Sequence, residues 1–221
     1  VETAKRFGIE SPLEEHPSLA LGAQDVNILE MMNSYNMFAN GGYRVFPQFV
    51  TKVVDRDGNV LYEAEEHLSK ELSPQLTAIM TNMMQGMFED QLSTDYAAVT
   101  GRSIAHLLEH PTAGKSGSTA KDSWMIGFSP QLLSGVWVGY DHSKDLETGD
   151  AVHSKNIWAK FMNRALAGET QQSFPVPANL VEVEINPVNG KLATEECPVK
   201  RATLFYPGTE PTEYCTDHTS E

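Results

Sequence analysis

The chain of 221 residues is 40% hydrophobic, 21% charged and 9% aromatic, which supplies one sizeable core and is unlike the composition of a disordered segment. Its net charge of −14 argues against coating nucleic acid or an anionic membrane surface by charge, and fits a solvated acidic exterior. No apolar run approaches the ~20 residues that a membrane-spanning helix needs.

The N-terminal residues, from Val1 to Phe7, have the character of a helix interior, with neither an initiator Met nor a signal peptide, so they are expected to continue a longer chain. Gly8 closes that helix, and Ser11-Pro12 and His16-Pro17 mark a loop. Val26, Leu29, Met32, Met37 and Phe38 recur at helical spacing, with Asp25 as the expected N-cap and Asn40-Gly41-Gly42 as the stop. Val45 to Val54 and Val60 to Tyr62 predict a hairpin turning at Asp57-Gly58-Asn59. Ser73 caps and Pro74 starts a helix whose apolar face is Leu76, Ile79, Met80, Met83, Met87 and Phe88. A methionine stripe can form an adaptable groove, but core packing is the preferred reading.

Residues 89–111 are polar and irregular. Three strand-like runs follow, 112–119, 124–128 and 133–140, on connections short enough to imply antiparallel neighbours. In the third run Val136 and Val138 face one way, Trp137 and Gly139 the other. Residues 153–167 predict an amphipathic helix with Ile157, Trp158, Phe161, Met162, Ala165 and Leu166 on its apolar face. Phe174-Pro175-Val176-Pro177 is a stiff linker, dividing residues 1–172 from a small extension, 173–221. There 180–185 reads as a strand and Pro187-Val188-Asn189-Gly190 as a turn.

The stretch richest in chemistry is Ala113-Gly114-Lys115-Ser116-Gly117-Ser118-Thr119. It puts a cation, hydroxyls and glycines on one strand. Such a strand at a cleft edge can pair with an extended peptide. Its hydroxyls and ammonium can hold a carboxylate by charge-assisted hydrogen bonds. Taken alone, Lys-Ser-Gly also fits an edge strand with a solvated lysine. No metal site is expected. Cys197 and Cys215 are too few for a structural zinc site, His218 is near them but unsupported, and His106 and His110 lack a further ligand. A Cys197–Cys215 disulfide would contribute roughly 3 kcal/mol in an extracytoplasmic setting.

Ordered neighbours sharpen the reading. Pro17-Ser18-Leu19-Ala20-Leu21-Gly22, Ala39-Asn40-Gly41-Gly42-Tyr43, the Lys115-Ser116-Gly117 strand, Asp122 to Pro130 and Val136-Trp137-Val138-Gly139-Tyr140-Asp141 occur in succession. This series resembles the transpeptidase domain of class A, bifunctional penicillin-binding proteins. The tail, with Asn189-Gly190-Lys191-Leu192-Ala193, Cys197-Pro198 and Pro207 to Pro211 before Cys215, is similar to that family's C-terminal extension. The resemblance implies an α+β fold, an antiparallel sheet flanked by helices as in serine β-lactamases, present here as a C-terminal half plus a small β extension.

It further implies a D-Ala-D-Ala transpeptidase that needs no cofactor. Of its three motifs, S-x-x-K, S-x-N and K-[ST]-G, only the last lies in this chain, so the serine nucleophile is expected upstream of Val1. By the same resemblance Lys115 sits beside the nucleophile, Ser116, Gly117, Ser118 and Thr119 bind substrate, and the Ser118 N–H is an oxyanion donor. Trp124 is expected to pack beneath the cleft. Peptidoglycan stem peptides, β-lactams and the N-terminal half of the domain are the implied partners. The implied location is the extracytoplasmic face of the cell membrane, through an anchor in the parent protein.

Two look-alikes compete. Ser118-Thr119-Ala120-Lys121 spells S-x-x-K, but it leaves the site behind the Lys115 strand, whereas a nucleophile needs a helix start. Ser34-Tyr35-Asn36 spells S-x-N, but it falls mid-helix, where packing is the better reading. The alternatives in function are a non-catalytic wall-peptide or partner-binding module, and a D,D-carboxypeptidase or β-lactamase of the same fold.

Overall fold

The computed structural model describes residues 1–94 and 97–218. In chain order the elements are helices α1 (Glu2–Arg6) and α2 (Ile28–Ala39), strands β1 (Tyr43–Val45), β2 (Lys52–Val54), β3 (Val60–Glu63) and β4 (Leu68–Lys70), and helices α3 (Pro74–Gln85) and α4 (Arg102–Ala105). Strands β5 (Ala113–Ser118), β6 (Asp122–Phe128) and β7 (Leu133–Gly139), helix α5 (His153–Ala165) and strands β8 (Val181–Ile185) and β9 (Arg201–Phe205) complete it.

The three runs expected between 112 and 140 form one antiparallel sheet in the order β5-β6-β7. Helix α5 covers one face. Trp158 is fully buried there, stacks on Phe88 with ring centroids 6.1 Å apart, and donates its indole N–H to the Ser134 carbonyl at 3.0 Å. Ile104, Met125, Ala159, Met162 and Leu166 complete this core. Gly127 lies beneath the indole, where a Cβ would come within 2.6 Å of the ring. On the other face α2 packs on β7, with Met32 against Gly135. The alternation expected in β7 holds. Val136 joins the α5 core, and Trp137 folds its ring over Gly139.

Ser73 caps α3 as expected, accepting from the Leu76 N–H at 3.2 Å, with Pro74 at the first helical position. Gly42 explains the stop after α2. With φ of 97° it offers its carbonyl to the N–H groups of Glu71 and Leu72, and a Cβ there would fall 2.2 Å from the Leu72 oxygen. Only glycine lets the chain turn off α2 and lie directly on the strand leading to α3.

Several expectations are corrected. Helix α2 is capped by Asn27, not Asp25. Asn27 is extended and its side chain accepts from the Leu29 N–H at 2.8 Å. The run from Val45 to Val54 is broken at Pro47, which cannot donate to a ladder. Its start becomes β1, paired with β4, and its end becomes β2, paired with β3. The buried face of α3 is Thr77, Ala78 and Thr81, while Leu76 and Met83 are exposed. Helix α3 touches α2, β5 and β9 together, and small side chains permit that approach. In α5, Ile157 and Phe161 are 51% and 48% exposed, and Ser154 and Ala159 take the buried positions beside Trp158. The irregular 89–111 stretch contains α4, whose Ile104 is fully buried. Strand β9 was not expected at all.

The tail's β8–β9 pair is a separate two-stranded sheet. It docks through Arg201, whose guanidinium donates to both oxygens of Glu89 at 3.1 and 3.0 Å and to Asn82 Oδ1 at 3.2 Å. Arg201 is only 9% exposed, so this fork supplies the partners that a buried charge requires.

Candidate functional site

Strand β5 lies at the edge of its sheet, with β6 as its described strand partner. Ala113 and Gly114 are buried, whereas Lys115, Gly117, Ser118 and Thr119 are exposed and Ser116 is half-buried. In register, Lys115 faces Ile126 and Gly117 faces Trp124, while Ser116 faces Met125 and Ser118 faces Ser123. Alternation therefore puts Lys115 and Gly117 on one face and the two serines on the other. A ligand meets all four only by lying along the strand's free edge.

Among the described residues, neither the Ser116 nor the Ser118 hydroxyl is engaged by another side chain or carbonyl, so both are free to donate outward. Lys115 folds back on its own strand, its ammonium donating to the Ser116 carbonyl at 2.6 Å. Gly117 has no positive φ, and a Cβ there would meet only the Trp124 Cβ, at 3.6 Å. Nothing among the described residues demands a glycine at that position, and the space above it is open.

Thr119 is held in the turn that follows β5. Its hydroxyl donates to Asp122 Oδ1 at 2.7 Å and accepts the N–H groups of Lys121 and Asp122, closing the β5–β6 turn. Trp124 is half-buried behind the strand, with its indole N–H on Asp122 Oδ2 at 3.3 Å.

Of the two look-alike motifs, one runs from a strand into a turn and the other lies within a helix. Lys121 follows β5 in that turn and donates to Ser143 Oγ at 2.6 Å, with no helix start aimed at Ser118. Ser34 is buried in α2 and donates to the carbonyls of Phe7 and Glu30, each at 3.0 Å, which pins the end of α1 onto α2.

Residues 8–163 match the model of the penicillin-binding protein transpeptidase domain, and residues 176–220 match that of the penicillin-binding protein 1A C-terminal domain. The chain belongs to the penicillin-binding protein transpeptidase family.

Penicillin-binding protein 2D of Bacillus subtilis is 44% identical over 97% of the chain and 31% of its own length. Penicillin-binding protein 1A of Aquifex aeolicus is 33% identical over 98% of the chain and 29% of its own length. The chain thus spans about a third of the length of these curated relatives. The crystal structure of penicillin-binding protein 1A from Haemophilus influenzae superposes with a TM-score of 0.84 over 97% of this chain and 37% of that one, at 24% identity, a likeness of fold. PonA1 of Mycobacterium tuberculosis, solved in complex with penicillin V, superposes with a TM-score of 0.66 at 25% identity, covering 80% of this chain and 52% of that one. The fold is accordingly that of the penicillin-binding transpeptidases, an antiparallel sheet with flanking helices, of which this chain is a part.

The tail holds a second constellation that the sequence reading set aside. Cys197 and Cys215 are both buried and unbonded, and their sulfurs lie within 4.8 Å of each other and of a ring nitrogen of His218. His218, beside it, pulls the Cys215 thiol down to about 6 against the upward push of burial, with help from the amides of Asn186 and Asn189. The signal available in sequence was the spacing Cys215-Thr216-Asp217-His218. It was set aside because two cysteines and one histidine fall short of four protein ligands, and spacing alone does not show that all three meet at one point.

Proposed function

We propose that the chain forms the substrate-binding wall of a serine D,D-transpeptidase that cross-links peptidoglycan stem peptides. The observation that carries this reading is the free edge of β5, with unengaged hydroxyls at Ser116 and Ser118, a cation at Lys115 and open space at Gly117. A stem peptide lies along that edge as an added strand. Its terminal carboxylate takes hydrogen bonds from Ser116 and Ser118, and Lys115 supplies the positive field.

The nucleophilic serine belongs to chain outside these 221 residues. Its Oγ attacks the penultimate D-Ala carbonyl, and the Ser118 N–H donates to the resulting oxyanion. The amide breaks and D-Ala leaves, with the serine ester retained. The amine of a second stem then displaces the ester and frees the serine. β-Lactams acylate the same serine.

The N-terminal part of the transpeptidase domain is the implied structural partner. Its packing would cover the exposed apolar side chains of Leu76, Met83, Ile157 and Phe161. We place the domain boundary at 172/173, ahead of the separately matched tail, and the parent protein at the extracytoplasmic face of the membrane.

Labelling with a fluorescent penicillin tests this assignment. The full-length protein should acylate, and Lys115→Met should slow acylation roughly 100-fold. The 221-residue chain by itself should carry no adduct. An adduct on Ser118 or Ser34 of the isolated chain, or wild-type acylation by Lys115→Met, would overturn it.

A further inference from the structure

The tail's thiols and imidazole have no part in binding a stem peptide, yet the fold is built around them. After β8 the chain turns at 186–191, closed by the Asn186 N–H on the Lys191 carbonyl and the Gly190 N–H on the Asn186 carbonyl, both at 2.8 Å. Leu192 then bridges to Ile185 on one side and to Tyr214 on the other, and the Cys215 N–H donates to the Leu192 carbonyl at 2.8 Å. Three separate segments, carrying Asn186, Cys197 and Cys215, are thereby drawn around one point.

At that point Cys215 Sγ and His218 Nδ1 are 3.5 Å apart. N–H groups converge on the sulfurs. Asn186 Nδ2 lies 3.2 Å from Cys215 Sγ and 3.9 Å from Cys197 Sγ, Asn189 Nδ2 lies 3.2 Å from Cys215 Sγ, and the Thr194 backbone N–H lies 3.4 Å from Cys197 Sγ. Asn186 is 1% exposed, and its Oδ1 is occupied by the Val188 N–H, so its amide hydrogens are held toward the sulfurs.

A neutral thiol is a weak acceptor and does not need so many donors. Sulfur carrying negative charge does, as metal-bound thiolates commonly do. Two thiolates and an imidazole are a soft nitrogen–sulfur set suited to zinc. Metal–sulfur and metal–nitrogen bonds of about 2.3 and 2.0 Å in a tetrahedron put the ligand atoms roughly 3.5–3.8 Å apart. The Cys215–His218 separation has that value. A disulfide would draw the sulfurs together to about 2.05 Å and leave His218 and the converging amides without a task.

We propose that Cys197, Cys215 and His218 bind a divalent cation of the zinc class that staples the C-terminal tail. Any proton the thiols still carry passes to solvent on binding, and the site is left neutral, with two thiolates, a neutral imidazole and one further position for water.

Cobalt substitution of the full-length protein tests it. Protein freed of metal by a chelator under reducing conditions is titrated with Co²⁺. The expected result is one Co²⁺ per chain, with thiolate-to-cobalt charge-transfer absorption and tetrahedral visible bands, both abolished by equimolar Zn²⁺. Cys215→Ser should remove the charge-transfer band. His218→Ala, which keeps both thiols, should weaken Co²⁺ binding at least about tenfold. Reduced protein that binds no Co²⁺, His218→Ala that binds as tightly as wild type, or native material whose two cysteines are joined as an intramolecular disulfide would each overturn the proposal.

Discussion

Ser118 and Ser123 are register partners across the β5–β6 hairpin, yet they live in different chemical worlds. Ser123 is 1% exposed and its hydroxyl lies 2.7 Å from both the Ala151 carbonyl and Ser154 Oγ, tying the sheet to the start of α5. Ser118 is exposed, with its hydroxyl unengaged among the described residues. The glycines differ in the same way. Gly127 is required by Trp158, whereas Gly117 is required by nothing among the described residues. Where the molecule's own packing explains a residue, the residue serves the fold. Where it does not, at the free edge of β5, the proposed stem-peptide site offers a reason.

The largest effect that would sharpen this contrast is on the packed side. Trp158→Ala removes the centre of the core, and its unfolding free energy should fall by about 3–5 kcal/mol in urea denaturation. A loss below about 1 kcal/mol would mean that the α5 face is not the core.

The serine pair gives the intermediate test. Ser123→Ala leaves the Ala151 carbonyl without its donor and should cost about 1–2 kcal/mol. Ser118→Ala should change stability by less than about 0.5 kcal/mol while slowing penicillin acylation of the full-length protein. Equal losses of stability in the two variants would break the comparison.

The smallest effect is expected at Glu30, which binds the 10–11 loop to α2. Burial pushes its carboxyl pKa up, but the Ser11 hydroxyl at 2.8 Å and the N–H groups of Ser11 and Glu10 outweigh burial and hold it below the ordinary carboxylate value. A depressed folded-state pKa contributes stability that is fully present above the unfolded-state value and is lost as pH falls through the folded-state one. Solvent screening limits the gain to under about 1 kcal/mol. Unfolding followed from pH 7 down through the carboxylate range should therefore show Glu30→Gln less stable than wild type at neutral pH, with the gap closing in acid. A constant gap would refute the linkage.

How much of this could be read in advance varied with the range of the interaction. The Ser73-Pro74 cap, the Asn40-Gly41-Gly42 stop and the antiparallel β5–β6–β7 order follow from neighbouring residues, and the structure has all three. The strand bearing Lys115, Ser116, Gly117 and Ser118 was legible as a strand because period-two alternation and short turns place it without distant help. The hydrogen bond that holds Thr119 in its turn was not legible, because it depends on how Asp122 is placed in the fold. The buried face of α3 and the outward Ile157 and Phe161 were misjudged because helical periodicity says which residues share a side, not what lies against that side.

Sequence alone therefore determined the family-bearing strand, its neighbours in order and the local starts and stops, since these depend on backbone conformation and contacts a few residues apart. Tertiary structure alone decided which hydroxyls remain free among the described residues, that Arg201 reaches Glu89 and Asn82, and that His218 joins Cys197 and Cys215 at one point. Those outcomes join residues far apart in the chain, and packing and hydrogen-bond satisfaction settle them only once the whole chain has closed around them.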